Sequence, residues 1–299
     1  MDLKEMTYIV TIADEGSISK AAEKLYMAQS SLSQFLLQYE AELGTTLFMR
    51  TARGVRPTAS GSVFLSHARQ ILQEYHRAKC ELWDIEELKG GQINLGISTF
   101  RGTYLLPSVL KRFHEQYPNI HVEITEKDSM PLEDMLLEGL LDIALIALPS
   151  TRLKKQIDFL TRDEIFIVAA KDHPVFRYVH RKENGRLWVS LTDAAKFEFI
   201  LGPPRTILGN IARTEFERLH IEPIARNTNI TAPFAAAMAR AGIGLAFTYQ
   251  SCIVPDPNVE YLCVGKDGMS LDLNLAYPVG GYRSKAAMAL ARLFHEIYP

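Results

Sequence analysis

Three groups of residues in this chain have the types to do chemistry, and each departs from the spacing that chemistry needs. Gly96-Ile97-Ser98-Thr99-Phe100 puts a serine two residues after a glycine, but Phe100 stands where a nucleophile elbow needs its second glycine. The histidines His173 and His180 straddle Pro174, and His114 and His121 flank Pro118. Neither pair has the helical spacing that would aim two imidazoles at one metal ion. The cysteines Cys80, Cys252 and Cys263 are odd in number and lack CxxC spacing, and Cys252 and Cys263 have no adjacent basic residue to activate a thiol. Two small apolar core residues is the better reading of Cys252 and Cys263. No GxxxxGK[ST] loop is present to cradle nucleotide phosphates. The expectation is a protein that is not an enzyme and carries no cofactor and no metal.

Other residues suit binding. Arg50, Arg53 and Arg56 cluster around Gly54 in a short hairpin-like stretch, the make-up of a loop that touches phosphate or enters a minor groove. Charge balance gives this no general support. The net charge is −2, and residues 1–58 hold Lys4, Lys20, Lys24, Arg50, Arg53 and Arg56 against Asp2, Glu5, Asp14, Glu15, Glu23, Glu40 and Glu42. A nucleic-acid role therefore depends on where the cations sit. Ser98, Thr99 and Ser129 each follow an expected strand and precede an expected helix, where free backbone N–H groups and the helix dipole favour an anion.

The elements around these residues change character along the chain. Leu3, Met6, Ile9, Val10 and Ala13 have the spacing of a helix with one buried face, stopped by Gly16. Ser17 suits an N-cap for a short helix through Lys20–Leu25. A third helix is expected from Gln29 to Leu43, with Leu32, Phe35, Leu36 and Tyr39 inward and Gly44 closing it. This is a helix-turn-helix followed by a wing. From Thr58, the residues Phe64, Ala68, Ile71, Tyr75, Ala78, Leu82 and Ile85 alternate steps of four and three, a heptad seam that predicts a dimerising helix. Beyond Lys89–Gln92 the pattern becomes alternating strands and helices, with strands at Ile93–Ile97, His121–Thr125, Asp142–Leu148, Ile165–Ala170, Phe199–Leu201, Ile243–Phe247, Val259–Val264 and Leu271–Tyr277. Helices are expected at Tyr104–Tyr117, Leu132–Glu138, Leu208–Leu219, Ala232–Ala241 and Ser284–Tyr298. A chain of this length crossing twice between two α/β lobes would use all of it.

The stretch SISKAAEKLYMAQSSLSQFLLQYEAELGTTLFMRTARGVRPTASG resembles the DNA-binding head of the LysR-type transcriptional regulators, through Ala21-Ala22, the Leu-Gly before Leu-Phe, Arg50, Arg53 and the Thr58–Gly61 helix start. LLPSVLKRFHEQYPNIHVEI, LEGLLDIALI and ARAGIGLAF look like landmarks of the same family's effector domain. Ala28, Ser30, Gln34, Leu37 and Gln38 depart from the family's common residues, and the recognition helix carries no cation.

The resemblance implies an α/β protein built from an N-terminal winged helix-turn-helix with a long linker helix and a two-lobed effector domain akin to periplasmic binding proteins. The expected divisions are a DNA-binding domain at 1–58, a dimerisation helix at 59–89, a hinge at 90–92, lobe I at 93–161 with 268–299, and lobe II at 162–267. The expected DNA-contacting residues are Ser17, Gln29, Ser30, Ser31, Ser33, Gln34, Arg50 and Arg53; the expected effector contacts are Ser98, Thr99, Phe100, Ser129, Gly202, Pro203 and Thr231. The partners follow: double-stranded promoter DNA, a small-molecule effector taken to be a carboxylate, further copies of the chain as a dimer of dimers, and RNA polymerase as a candidate. With no apolar run of the roughly 18 residues a bilayer needs, no membrane role and a cytoplasmic location are expected. The rival readings are a solute-binding protein, which would have no use for residues 1–88, and an α/β enzyme without gene regulation.

Overall fold

The structure is a computed structural model that describes residues 2–52, 54–85, 90–147, 152–153, 156–280 and 282–298. It divides into two compact units, residues 1–85 with 138–140 and residues 86–137 with 141–299.

The first unit opens with α1 (Leu3–Glu15), started by a reciprocal capping box in which Asp2 and Glu5 bond each other's backbone N–H at 2.8 Å. Gly16 ends it in the left-handed region, and Ser17 caps α2 (Ile18–Lys24). Helix α3 (Gln29–Leu43) follows and also ends on a left-handed residue, Gly44. The antiparallel hairpin β1 (Phe48–Thr51) and β2 (Gly54–Pro57) is the wing. It is pinned at its base by Glu40, whose carboxylate accepts the Leu47 and Phe48 N–H groups at 2.6 and 3.0 Å. Its tip is seated by Val55 N–H donating to Gly16 O at 2.8 Å. Gly54, at φ +128°, passes so close that a Cβ there would lie 2.1 Å from Gly16 O, so only glycine fits.

Helix α4 (Ala59–Ile85) begins where Thr58 Oγ1 accepts the Gly61 N–H at 2.9 Å. Its heptad seam splits into two parts. Ala68 is buried and Phe64 packs against the helix-turn-helix core, whereas Ile71, Tyr75, Leu82 and Ile85 are exposed. The expected last turn of the linker, Glu86–Lys89, lies outside the described residues.

The second unit is built on a mixed sheet. Its elements in chain order are β3 (Gly91–Ile97), α5 (Thr99–Gln116), β4 (Ile120–Glu126), α6 (Ser129–Leu137), β5 (Ile143–Ile146), β6 (Ile157–Ala170), β7 (His180–Arg181), β8 (Leu187–Val189), α7 (Leu191–Ala194), α8 (Ile207–Arg218), α9 (Ala232–Arg240), β9 (Ala246–Tyr249), β10 (Val259–Val264), β11 (Met269–Ala276) and α10 (Lys285–Ile297). In one half, β4, β3 and β5 run parallel and β11 closes against β5. The first part of β6 pairs with β11, and its last residues pair with β10 and β9. This one strand therefore belongs to both halves of the sheet, while β11 returns beside it.

Several boundaries differ from the sequence reading. Helix α5 starts at Thr99, not near Tyr104, because Phe100 and Arg101 are buried in its first turn and the Thr103 hydroxyl bonds back to Thr99 O at 2.8 Å. Helix α6 likewise starts at Ser129 rather than Leu132. Strand β6 starts at Ile157, strand β9 spans Ala246–Tyr249 rather than Ile243–Phe247, and Phe199–Leu201 forms isolated bridges at Phe199 and Ile200 in place of a named strand. Strands β7 and β8 and helix α7 are too short to show as a pattern in the sequence; Leu148, the expected end of β5, lies outside the described residues.

Candidate functional site

In the first unit, α3 turns Leu32, Leu36 and Tyr39 into the core and leaves Gln29, Ser30, Ser31 and Gln34 exposed, with Ser33 half-buried. Ala28 precedes the helix and has no side chain with which to cap it, so the first N–H groups of α3 have no side-chain acceptor. Such a helix end attracts phosphate or a base acceptor. Ser17 is engaged differently: its hydroxyl accepts the Lys20 N–H at 3.4 Å and starts α2. Arg50 and Arg56 are exposed on the two strands of the wing, while Arg53 lies outside the described residues.

A turn is expected at Tyr26 and Met27, but the sequence does not foretell how exposed Tyr26 is. Tyr26, in the turn before α3, is 98% exposed and holds a left-handed backbone at φ 54°. That conformation is costly for an aromatic residue and tends to occur where a fold needs a particular turn. Composition gives no sign of it, because Tyr26 sits among the apolar residues Leu25 and Met27.

In the second unit, a cavity of ≈ 220 Å³ is lined from both halves of the sheet. Four helices present their N-terminal residues to it: α5 through Ser98–Arg101, α6 through Asp128 and Ser129, α8 through Thr206–Leu208, and α9 through Thr231–Pro233. Each helix start contributes a partial positive charge, so the space favours negative charge. Of the expected effector contacts, Ser98, Thr99, Phe100, Ser129, Pro203 and Thr231 line this cavity. Gly202 does not; it sits behind the wall, where Arg213 bonds its carbonyl at 2.8 Å.

The hydroxyls differ in what they have left to offer. Ser98 and Thr231 occupy cap positions without bonding their own helices. Thr206 is committed, accepting Gly209 N–H at 3.2 Å and donating to Pro203 O at 2.8 Å. Ser129 accepts Ala147 N–H at 3.4 Å and keeps a proton to donate. Thr99 donates its proton to the Glu126 carboxylate.

Two arginines border the cavity. Arg205 is exposed and makes no hydrogen bond or ion pair among the described residues. Arg101 is buried, with a nitrogen 3.4 Å from the Asp163 carboxylate and its guanidinium 4.0 Å over the Tyr249 ring. Asp163 also accepts the Ser251 N–H at 3.0 Å and hydroxyl at 2.8 Å. Burial pushes the Tyr249 phenol up to about 12 against the opposing pull of Arg101, and it pushes the Cys252 thiol up to about 12 as well. The Cys252 thiolate is thus disfavoured, which suits a packing residue.

Residues 3–62 match the family described as "Bacterial regulatory helix-turn-helix protein, lysR family", and residues 86–298 match "LysR substrate binding domain". The chain is 30% identical to the uncharacterized HTH-type transcriptional regulator YcgK of Bacillus subtilis (strain 168), over 99% of this chain and 94% of that protein. It is 30% identical to the nitrogen assimilation regulatory protein nac of Klebsiella aerogenes, over 98% of this chain and 94% of that one. Among solved structures, full-length CbnR complexed with its target DNA aligns with a TM-score of 0.64 at 18% identity, covering 99% of both chains. A full-length OxyR variant from Pseudomonas aeruginosa aligns at 0.65 and 22% identity, covering 99% of this chain and 98% of that one. At these identities the structural likeness bears on fold alone.

Proposed function

The chain belongs to the LysR family of DNA-binding transcriptional regulators, and from that premise we propose how its parts divide the work. Residues 1–58 are the DNA-reading head, 59–89 the dimerisation helix and 90–92 the hinge. Ser33 and Gln34 read base edges from α3, with Gln29, Ser30 and Ser31 beside them, and Ser17, Arg50 and Arg53 on the backbone. The observation that carries this reading is the polar, uncapped start of α3 lying in the same unit as a wing that exposes Arg50 and Arg56. The side chains of Ile71, Tyr75, Leu82 and Ile85 on α4 are exposed at heptad spacing, which suits contact with a second copy. Two such pairs make the dimer of dimers, which binds an imperfect palindrome in promoter DNA in the cytoplasm, with RNA polymerase as the neighbouring partner.

The cavity is the effector site. Its ligand is a small carboxylate, favoured by four converging helix N-termini and Arg205. The lobes are 93–161 with 268–299 and 162–267, and a ligand between them alters their arrangement; the hinge carries that change to the paired heads. Footprinting of the full chain on DNA flanking its own gene, with and without a panel of metabolic carboxylates, tests this. A protected palindrome whose footprint changes with one of the carboxylates is the expected result. Binding no better than to sonicated competitor DNA rejects the DNA assignment, and a footprint indifferent to every carboxylate rejects the effector assignment.

A further inference from the structure

Resting on that reading of the cavity, we propose that the effector is a zwitterion, an α-amino acid or a close relative, whose carboxylate meets Arg205 and the start of α9 and whose ammonium meets Asp128 and Thr99. The two walls of the cavity differ in the charges they present. Asp128 lines the cavity, is half-buried, and its carboxylate has no hydrogen bond or ion pair among the described residues. An aspartate just before a helix usually caps it through its side chain, but here Leu132 N–H bonds the Asp128 backbone carbonyl at 3.1 Å and no N–H among the described residues bonds the carboxylate. Thr99 has given its proton to Glu126, so it shows the cavity oxygen lone pairs backed by a second carboxylate. Asp128 and Thr99 both turn acceptors to this side of the cavity, and the Ser98 and Ser129 hydroxyls beside them can accept as well as donate, so an ammonium fits here against the carboxylate.

The opposite wall has no carboxylate among its lining residues. Arg205 offers its N–H donors with no acceptor among the described residues, and Thr231 leaves the start of α9 without a side-chain cap. Asp128 and Arg205 line the same space without pairing with each other. The remaining charge at the cavity, Arg101, is already matched by buried Asp163. A dicarboxylate would set one negative group against Asp128, and a diamine would face Arg205 and the helix ends. A molecule with one charge of each sign satisfies both walls. The volume of ≈ 220 Å³ lies below the roughly 300–1,000 Å³ of drug-sized sites and suits a small metabolite. Phe100, Ile207, Leu208 and Tyr249 supply apolar surface for its stem.

The test is calorimetry on the full chain with the twenty proteinogenic amino acids and ornithine, and then, for each hit, its 2-oxo acid and its decarboxylated amine. The expected result is an amino acid binding at least about tenfold more tightly than either partner, the loss of one charge-assisted contact being worth about that factor. Asp128→Asn should cost the amino acid about tenfold and leave its 2-oxo acid unchanged or tighter, whereas Arg205→Gln should weaken both. Thermal unfolding checks that the variants fold, which their partly exposed positions favour. If no amino acid binds, or if simple carboxylates bind the parent as tightly as any amino acid does, the zwitterion is wrong while the cavity still stands as an anion site. An amino acid whose affinity ignores Ser98→Ala, Asp128→Asn and Arg205→Gln alike binds elsewhere, and that overturns the cavity itself as the effector site.

Discussion

Arg101 and Asp163 form an ion pair at 3.4 Å with side chains only 3% and 1% exposed. It joins the first turn of α5 to the strand β6 that both halves of the sheet share, and Ser251 completes the shell of the carboxylate. A buried charge left alone is expensive, whereas removing both charges together can be nearly neutral. Arg101→Leu or Asp163→Asn alone should therefore cost about 3–5 kcal/mol of stability, and the double replacement clearly less than their sum. Denaturant unfolding of the four proteins gives the coupling; additive losses would show that the pair does not hold the two halves.

The Tyr249 phenol gives that network a pH signature. Its pKa is raised by burial from about 10 in the unfolded chain to about 12 in the fold, so the folded state holds its proton longer. The contribution is fully present below about pH 10 and is lost as pH rises toward 12, on the order of 2–3 kcal/mol. Thermal midpoints measured from pH 9 to 11.5 should fall more steeply for the parent than for Tyr249→Phe. Parallel curves would mean that the phenol titrates as it does in water.

Cys252 is 1% exposed, and burial pushes its thiol up to about 12. At pH 8 it should react with a thiol reagent only at the rate of unfolding, and peroxide should leave the protein's DNA affinity unchanged. Fast labelling of native Cys252, identified by peptide mapping, would point to a redox role instead.

These networks also explain what the sequence could and could not reveal. Helix α3 was legible to the residue because Leu32, Leu36 and Tyr39 keep helical spacing and Gly44 stops it. The first part of β6 was not. Asp158, Arg162, Asp163 and Glu164 break its apolar run, and each is answered from elsewhere, by Arg283, Asp272, Arg101 and Arg186. A strand whose charges are matched from distant segments carries no local signal. The early start of α5 was hidden for the same reason, since Arg101 reads as a partner for an anionic effector or as a surface residue until Asp163 is beside it. Six of the cavity contacts were found from strand-to-helix junctions and the family resemblance, but Asp128 and Arg205 as opposed, unpaired charges emerge only when the two halves meet.

The wing depends on Gly54. An added Cβ would lie 2.1 Å from Gly16 O at a φ of +128°, so Gly54→Ala must move the hairpin tip off the turn before α2. Backbone strain of this kind costs about 1–3 kcal/mol. DNA affinity should fall while the cavity's ligand affinity stays as in the parent. Unchanged DNA binding would show that the wing takes no part.

The apolar seam of α4 makes a separate claim. Ile71→Glu with Leu82→Glu should leave the fold intact, because both side chains are exposed, while sedimentation moves to smaller species and operator affinity drops sharply, one head reading only half a site. An unchanged assembly would place the contact between copies elsewhere.

The central claim, that α3 reads sequence while the wing holds the backbone, is tested most directly by selecting binding sites from a random duplex library with the parent, Gln34→Ala and Arg50→Ala at several salt concentrations. Gln34→Ala should lose about 1–3 kcal/mol of discrimination at one base pair and keep its salt dependence, and Arg50→Ala should weaken all sequences alike with a salt slope reduced by about 1. A parent that selects no palindrome, or variants that keep both its preference and its salt slope, would contradict the account.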